Sequence, residues 1–113
     1  MVDITFFQQK NAIMKFHCSG HAEYDEEGYD IVCAAISALT QTITVALVQQ
    51  LTVGNQVEYH MHKGFLNTQL PENLSEEDRK TADILLKTLI TGLQMIQEQY
   101  PEYISVMIKE DGR

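Results

Sequence analysis

The chain has few of the residues that several large classes of protein need. It carries only two cysteines in 113 residues, too few for a disulfide framework, and no basic segment followed by an apolar stretch opens it to indicate secretion. We therefore expect two reduced thiols and a cytoplasmic location, because disulfides are rare in that compartment. Lysine and arginine together number 8 against 16 acidic residues, so direct binding to nucleic-acid phosphates, which needs basic clusters, is not expected.

Motifs for phosphates, dinucleotides and metals are also missing. No glycine-rich phosphate loop, dinucleotide fingerprint or Gly-x-Ser-x-Gly elbow occurs. His17, Cys18, His21 and Cys33 are potential metal ligands, but the paired Cys-x-x-Cys spacing of structural zinc sites is absent. His17 and Cys18 would also point to opposite faces of a strand. The sequence therefore predicts neither a metal nor a cofactor.

One long segment, residues 31–57, contains no charged residue. Polar residues such as Ser37, Thr44 and Gln49 interrupt it, whereas a helix that crosses a bilayer needs about 20 mostly apolar residues. The segment is typical of a helix buried inside a protein or at a subunit contact. We expect no membrane span.

Alternating apolar and polar residues predict five strands, at residues 2–6, 12–18, 57–61, 65–70 and 104–108. In the second strand, Ala12, Met14, Phe16 and Cys18 would share one face, and the first two strands would form a hairpin.

Helical spacing predicts two helices. The first begins at Ile31, with Asp30 as N-cap residue, and ends at Gly54-Asn55. The second follows Ser75-Glu76-Glu77-Asp78, which resembles a capping box, and ends before Pro101.

The predicted order is therefore β-β-α-β-β-α-β. It indicates an α+β fold, a two-layer sandwich with a mainly antiparallel sheet and two helices on one face. We expect residues 1–113 to form a single domain, since this length and a 44% hydrophobic composition support a hydrophobic core that needs no disulfide or metal to stabilise it.

Residues that can carry chemistry are concentrated between Gly20 and Ser37. Cys33 falls about three positions into the predicted helix, where first-turn N–H groups and the helix dipole favour a thiolate. His21 lies near a strand end and can reach Cys33 if the intervening loop folds back. The residues alone leave the alternatives open that Cys33 is a core cysteine and that His21 is solvated.

Other residues of this segment have more than one interpretation. Asp30 caps the helix or orients His21. Ser37, one turn after Cys33, hydrogen-bonds the thiolate, lines a pocket, or bonds back to its own helix. The predicted loop of residues 20–29 is either a mobile segment that covers a bound peptide or a simple turn. The candidate residues for a flexible substrate loop are Gly20, Tyr24, Asp25, Glu26, Glu27 and Gly28.

The run Gly20-His21-Ala22-x-Tyr24-x-x-x-Gly28-x-Asp30-Ile31-Val32-Cys33-Ala34-Ala35-x-Ser37 closely resembles the signature of the ribosomal-processing cysteine protease (Prp) family. The resemblance implies a small cytoplasmic bacterial endopeptidase, usually a homodimer. Such proteins remove a short N-terminal extension from a large-subunit ribosomal protein, cut after an aromatic residue, and are required for ribosome maturation.

By matching positions, the resemblance implies that His21 is the general base and Cys33 the nucleophile. Asp30 and Ser37 would have supporting roles, and residues 20–29 would form the mobile segment that admits substrate. The acidic Asp25, Glu26 and Glu27 would then attract a basic peptide.

Two other classes of function compete with a protease. One is a non-catalytic, acidic ribosome-assembly or interaction module. The other is a redox-sensing thiol protein, for which Cys18 is the only available resolving partner of Cys33.

Overall fold

A computed structural model describes residues 1–20, 27–62 and 64–111, and for residues 27–30 it describes the backbone alone. The predicted order of elements is confirmed. The elements are β1 (Val2–Gln9), β2 (Ala12–Ser19), α1 (Glu27–Gln50), β3 (Glu58–His62), β4 (Phe65–Gln69), α2 (Glu76–Gln99) and β5 (Ile104–Glu110), with a short 3-10 turn at Gly54–Gln56 before β3.

The five strands form one sheet in the order β3-β4-β2-β1-β5. Three neighbouring pairs are antiparallel, and only β1 and β5 run parallel. The parallel pair is possible because α2 carries the chain back across the sheet before β5, as a parallel connection requires. The predicted α+β class with a mainly antiparallel sheet is thus confirmed.

The β1–β2 hairpin contains a bulge that corrects the predicted face of β2. Phe7 pairs with Lys15 whereas Gln8 pairs with Ile13, so Met14 is the extra residue on β2. An extra residue reverses the alternation of side chains beyond it. Ile13 is therefore buried with Phe16, while Met14, predicted to share the face of Phe16, is only partly buried.

The core lies between one face of the sheet and the two helices. Gly92 of α2 lies so close to α1 that a Cβ added there would be 3.1 Å from Leu39 Cδ1, which shows how closely the helices pack. The largest fully buried side chains come from both layers and include Ile4, Phe6 and Phe16 of the sheet, Ile36 and Leu47 of α1, and Leu86, Leu89 and Leu93 of α2.

The start of α1 differs from the prediction. Residues 27–30 are helical, so Asp30 lies within the first turn and is not the N-cap residue, and Glu27 and Gly28 belong to the helix and not to the loop. Gly28 had indicated a loop, but one glycine costs a helix only about 1 kcal/mol relative to alanine. The packing of a 24-residue helix readily outweighs that cost.

A buried carboxylate joins the turn that follows α1 to the start of α2. Asp78 accepts hydrogen bonds from the Thr52 backbone N–H (3.0 Å) and from the Thr52 hydroxyl (2.5 Å). Its own N–H donates to the Ser75 hydroxyl at 3.1 Å, which confirms Ser75 as the N-cap residue of α2. These bonds with Thr52 lower the pKa of Asp78.

Helix α1 also has an exposed face without charge. Its segment from Ile31 to Gln50 is long and apolar enough to cross a membrane by length and composition alone. One side of this segment nevertheless packs in the protein core, as Val32 and Leu47 show. The exposed side carries Ile31, Ala34, Ser37, Ala38, Gln41, Thr42, Val45 and Gln49.

Candidate active site

A cavity of about 280 Å³ lies between the N-terminal half of α1 and the sheet. It joins the residues that the sequence singled out on α1 to residues of β1, β2, β3 and β4 that are distant along the chain. Its described lining consists of Val2, Cys18, Gly20, Cys33, Ile36, Ser37, Thr40, Gln41, Met61, His62, Gly64, Phe65 and Leu66.

Cys33 belongs to the helical side of this cavity. It is partly buried and packs against the edge of the hydrophobic core, so its sulfur combines core contacts with access to the cavity. The sequence predicted Cys33 in the first turn of α1. Because α1 begins at Glu27, Cys33 lies in the second turn instead. The effect of the helix dipole falls off within the first turn. Its contribution to a Cys33 thiolate is therefore smaller than the predicted helix start implied.

Ser37 lies one turn after Cys33 and lines the same cavity, which is one of the alternatives that the sequence left open. Gln41, one further turn along, lines it too and was missed. The same spacing from Cys33 would have identified it. Together these three residues form a polar stripe on the side of α1 that faces the cavity.

Cys18 lies on the sheet side of the cavity, on the buried face of β2. Its residue is only 9% exposed. Burial, followed by the negative charges of Cys33 and Asp3, raises the pKa of the Cys18 thiol to about 11. A thiol with this pKa is protonated at neutral pH and is a poor nucleophile.

Gly20 directly follows β2, lines the cavity and adopts a φ of +117°. A Cβ at this position would be 2.5 Å from the Met1 carbonyl oxygen and 3.0 Å from Val2 Cα, so only glycine fits. Its N–H donates to the Gly64 carbonyl at 2.9 Å. Gly20 thus sets the point from which the chain leaves the sheet toward His21.

The wall opposite α1 was not predicted. Met61, His62 and Phe65 come from the hairpin of β3 and β4, which pairs His62 with Phe65. The Phe65 ring also meets the His17 ring edge-on at 5.0 Å between centroids. No sequence signal places this hairpin beside Cys33, because that contact depends on the order of strands in the sheet.

Several predicted site residues lie outside the described residues. They are His21, Tyr24, Asp25 and Glu26, together with the side chains of Glu27 and Asp30. The general base, the orienting role of Asp30 and the loop that admits substrate therefore stay predictions. Among the residues that the structure describes, no group of three or more His, Cys, Asp or Glu side chains could hold a metal ion.

Comparison with known proteins adds independent information. Residues 1–105 match the family model described as cysteine protease Prp. The ribosomal processing cysteine protease Prp of Bacillus subtilis is 28% identical over 94 residues, covering 83% of this chain and 84% of the relative. The Staphylococcus aureus protein of the same name (strain Mu50) is 29% identical over 108 residues, covering 96% of this chain and 97% of the relative.

Solved structures show the same fold. The structure of the S. aureus ribosomal processing protease Prp in complex with a substrate peptide superposes with a TM-score of 0.76 at 23% identity. The similarity covers 96% of this chain and 100% of that one. A second S. aureus structure, with a covalently linked product peptide, gives a TM-score of 0.74.

Proposed function

The chain belongs to the cysteine protease Prp family and is a cysteine protease, and we propose that Cys33 is its nucleophile and His21 its general base. The observation that carries the choice of Cys33 is the contrast between the two thiols. Both thiols line a cavity large enough for a substrate side chain, but Cys18 is buried and has a pKa raised to about 11, whereas Cys33 is only partly buried. Only Cys33 combines access with a place on the matching family motif.

The proposed reaction is acyl transfer. His21 takes the proton of the Cys33 thiol, and the thiolate attacks the carbonyl carbon of the scissile peptide bond. His21 then gives its proton to the leaving amine, and water hydrolyses the thioester that remains on Cys33. Asp30 and Ser37 support the pair, Asp30 by orienting His21 and Ser37 from its place in the cavity wall.

We propose that the substrate is the N-terminal extension of a large-subunit ribosomal protein, cut after an aromatic residue during ribosome maturation. The curated relatives are named for ribosomal processing. The cavity has apolar lining from both layers of the fold, including Ile36, Met61 and Leu66, which suits an aromatic ring. The net charge of −8 suits a basic peptide.

We also propose that the protein is a cytoplasmic homodimer that meets through the part of the exposed face of α1 outside the cavity, which carries Ala34, Ala38, Thr42 and Val45. Two copies of a chain with a net charge of −8 repel each other, and this face lets them meet without opposing like charges. Small residues such as Ala34 and Ala38 would let the two helices approach closely. A two-fold contact of this kind uses the same patch on both copies.

Peptide cleavage tests the assignment of the two catalytic residues. A peptide that spans the host ribosomal-protein extension is incubated with wild type, Cys33→Ala and His21→Ala and analysed by mass spectrometry. Thr88→Ala, on the exposed face of α2, is the control. We expect a single cut after an aromatic residue by wild type and control, and none by the other two.

Cleavage by Cys33→Ala would overturn the assignment of the nucleophile. A folded wild type that binds the peptide without cutting it would favour the ribosome-assembly module instead. Sedimentation of the wild type tests the dimer, and a monomer at all concentrations would contradict it.

A further inference from the structure

The reaction described above makes no use of Cys18, although this thiol lines the same cavity as Cys33. The two residues come from different layers of the fold, Cys18 from the buried face of β2 and Cys33 from α1. Both are reduced, and both contribute to the lining of one space of about 280 Å³. The negative charge of Cys33 is also one cause of the raised pKa of Cys18, in agreement with the cavity that the two residues share.

The surroundings of the two thiols differ in a way that suits sequential oxidation. Cys18 belongs to the hydrophobic core cluster, whereas Cys33 packs at its edge and is more accessible. We therefore expect a peroxide molecule that enters the cavity to oxidise Cys33 first, because Cys18 is more deeply buried and its thiol stays protonated.

We propose that Cys18 is a resolving thiol, which condenses with oxidised Cys33 to an intramolecular disulfide and so switches the protease off reversibly. The inhibitory effect rests on the proposed role of Cys33 as the nucleophile. The disulfide itself depends only on the two thiols and the cavity that they share.

The chemistry balances with a hydroperoxide as the oxidant. The Cys33 thiolate attacks hydrogen peroxide, an S–O bond forms and the O–O bond breaks, and the departing hydroxide takes up a proton to become water. Cys33 is now a sulfenic acid, oxidised by two electrons. The sulfenic acid carries no thiolate charge, so one cause of the raised Cys18 pKa is gone. The Cys18 thiol then loses its proton as its sulfur attacks the Cys33 sulfur, the S–S bond forms and the S–O bond breaks, and the released hydroxide combines with that proton as a second water.

This second step would protect the active site. A sulfenic acid that meets no thiol is oxidised further to sulfinic and sulfonic acids, which ordinary thiol reductants do not restore. A disulfide is returned to two thiols by exchange with a reducing thiol. With Cys18 in place, an episode of peroxide would leave the protease inactive and recoverable.

Mass spectrometry of the full-length protein tests the proposal without any need for peptidase activity. Wild type, Cys18→Ser and Cys18→Ala are treated with increasing hydrogen peroxide, blocked with N-ethylmaleimide and measured intact. We expect wild type to lose two hydrogen atoms and both sites of alkylation. Proteolytic digestion of the unreduced sample should yield a peptide pair joined through Cys18 and Cys33.

The two Cys18 variants should instead accumulate sulfinic acid at Cys33. After treatment with dithiothreitol, wild type should regain the peptide cleavage of its own untreated sample, and the variants should not regain theirs. Equal accumulation of sulfinic acid in all three proteins would overturn the proposal. So would a disulfide between two chains, seen as a dimer on a non-reducing gel. If the variants do not fold, the joined peptides of wild type decide the matter alone.

The outcome is distinguishable from failure of the proposed function. If the Cys18–Cys33 disulfide forms and Cys33→Ala still cuts the peptide, then the nucleophile is wrongly assigned and the disulfide stands. If Cys33→Ala is inactive and no disulfide forms, then the protease stands and the resolving role of Cys18 is wrong.

Discussion

The two helices have the same length, 24 residues each, but very different surfaces. Helix α2 has three acidic residues in its first turn, a capped N-terminus and further charges along its solvent face. Helix α1 carries no charge from Ile31 to Gln50, although many of its residues there are exposed. Charge on an exposed helix face favours solvent, and the uncharged face of α1 is the surface on which we propose the dimer contact.

The side chains of the two helices differ in the same way. On α2, Arg79 forms an ion pair with Asp83 at 2.7 Å and donates to the Ile13 carbonyl of β2 at 2.8 Å, so polar groups fix the helix to the sheet. On α1, Cys33, Ser37 and Gln41 face a cavity. Both helices therefore contribute to the core, but α2 adds polar contacts that fix it to the sheet, whereas α1 adds the side chains that face the cavity.

The largest expected effect is on stability and comes from the buried face of α2. Leu89 is 1% exposed, and Leu89→Ala should lower the free energy of unfolding by about 3 kcal/mol, because the transfer energy is lost and a cavity remains. Ile84, on the same helix, is 67% exposed, and Ile84→Ala should change it by less than about 0.5 kcal/mol. Urea unfolding measures both. Equal losses would contradict the division of α2 into a core face and a solvent face.

The next effect is on catalysis and comes from the cavity side of α1. Ser37 is exposed at the cavity, and Ser37→Leu should fill part of it and displace the substrate. Misplacement by about 1 Å can cost a hundredfold, so we expect kcat/KM for the peptide to fall by about that factor. Thr88→Leu, on the exposed face of α2, should leave cleavage unchanged. Unchanged kinetics of Ser37→Leu would show that the substrate binds elsewhere.

The features that could be predicted from the sequence are those that depend on residues close together along the chain. The start of α2 was predictable because Ser75 and Asp78 are three residues apart and their hydrogen bond is local. The order of elements followed from periodicity in the same way. The bulge at Met14 could not be predicted, because it appears only when β1 and β2 pair.

The residues of the candidate site also fall into a group set by local spacing and a group set by long-range pairing. Ser37 follows from helical spacing relative to Cys33, whereas Met61 and Phe65 reach the cavity through the order of strands in the sheet. The start of α1 was misplaced because Gly28 has a local preference for loops that the packing of the whole helix overrides. Long-range pairing and packing are the physical terms that a single sequence does not reveal.

The third effect is on association, and it tests whether the exposed face of α1 contacts a second copy or only solvent. Ala38→Glu places a carboxylate on this face, and in the proposed dimer two such charges would meet across the two-fold axis. We expect the dimer to dissociate at concentrations where wild type stays associated, as measured by sedimentation. Thr88→Glu, on the exposed face of α2, adds the same charge and should have no effect. An Ala38→Glu protein that stays dimeric would place the contact on another surface.

The smallest effect concerns the tie between the two helices. Hydrogen bonds from Thr52 lower the pKa of the Asp78 carboxyl in the folded protein, relative to a value of about 3.9 in an unfolded chain. The unfolded chain then binds a proton more readily than the folded one, so this carboxylate stabilises the fold above about pH 4, and its contribution is lost as the pH falls through the lowered folded pKa. Asp78→Asn should therefore lower the urea midpoint at pH 7, and its difference from wild type should shrink on acidification.

Glu77→Gln, exposed in the same helical turn, is the control for simple loss of charge. A difference between Asp78→Asn and wild type that stayed constant from pH 7 to the acid limit would mean that shape, and not the ionised carboxylate, joins α1 to α2.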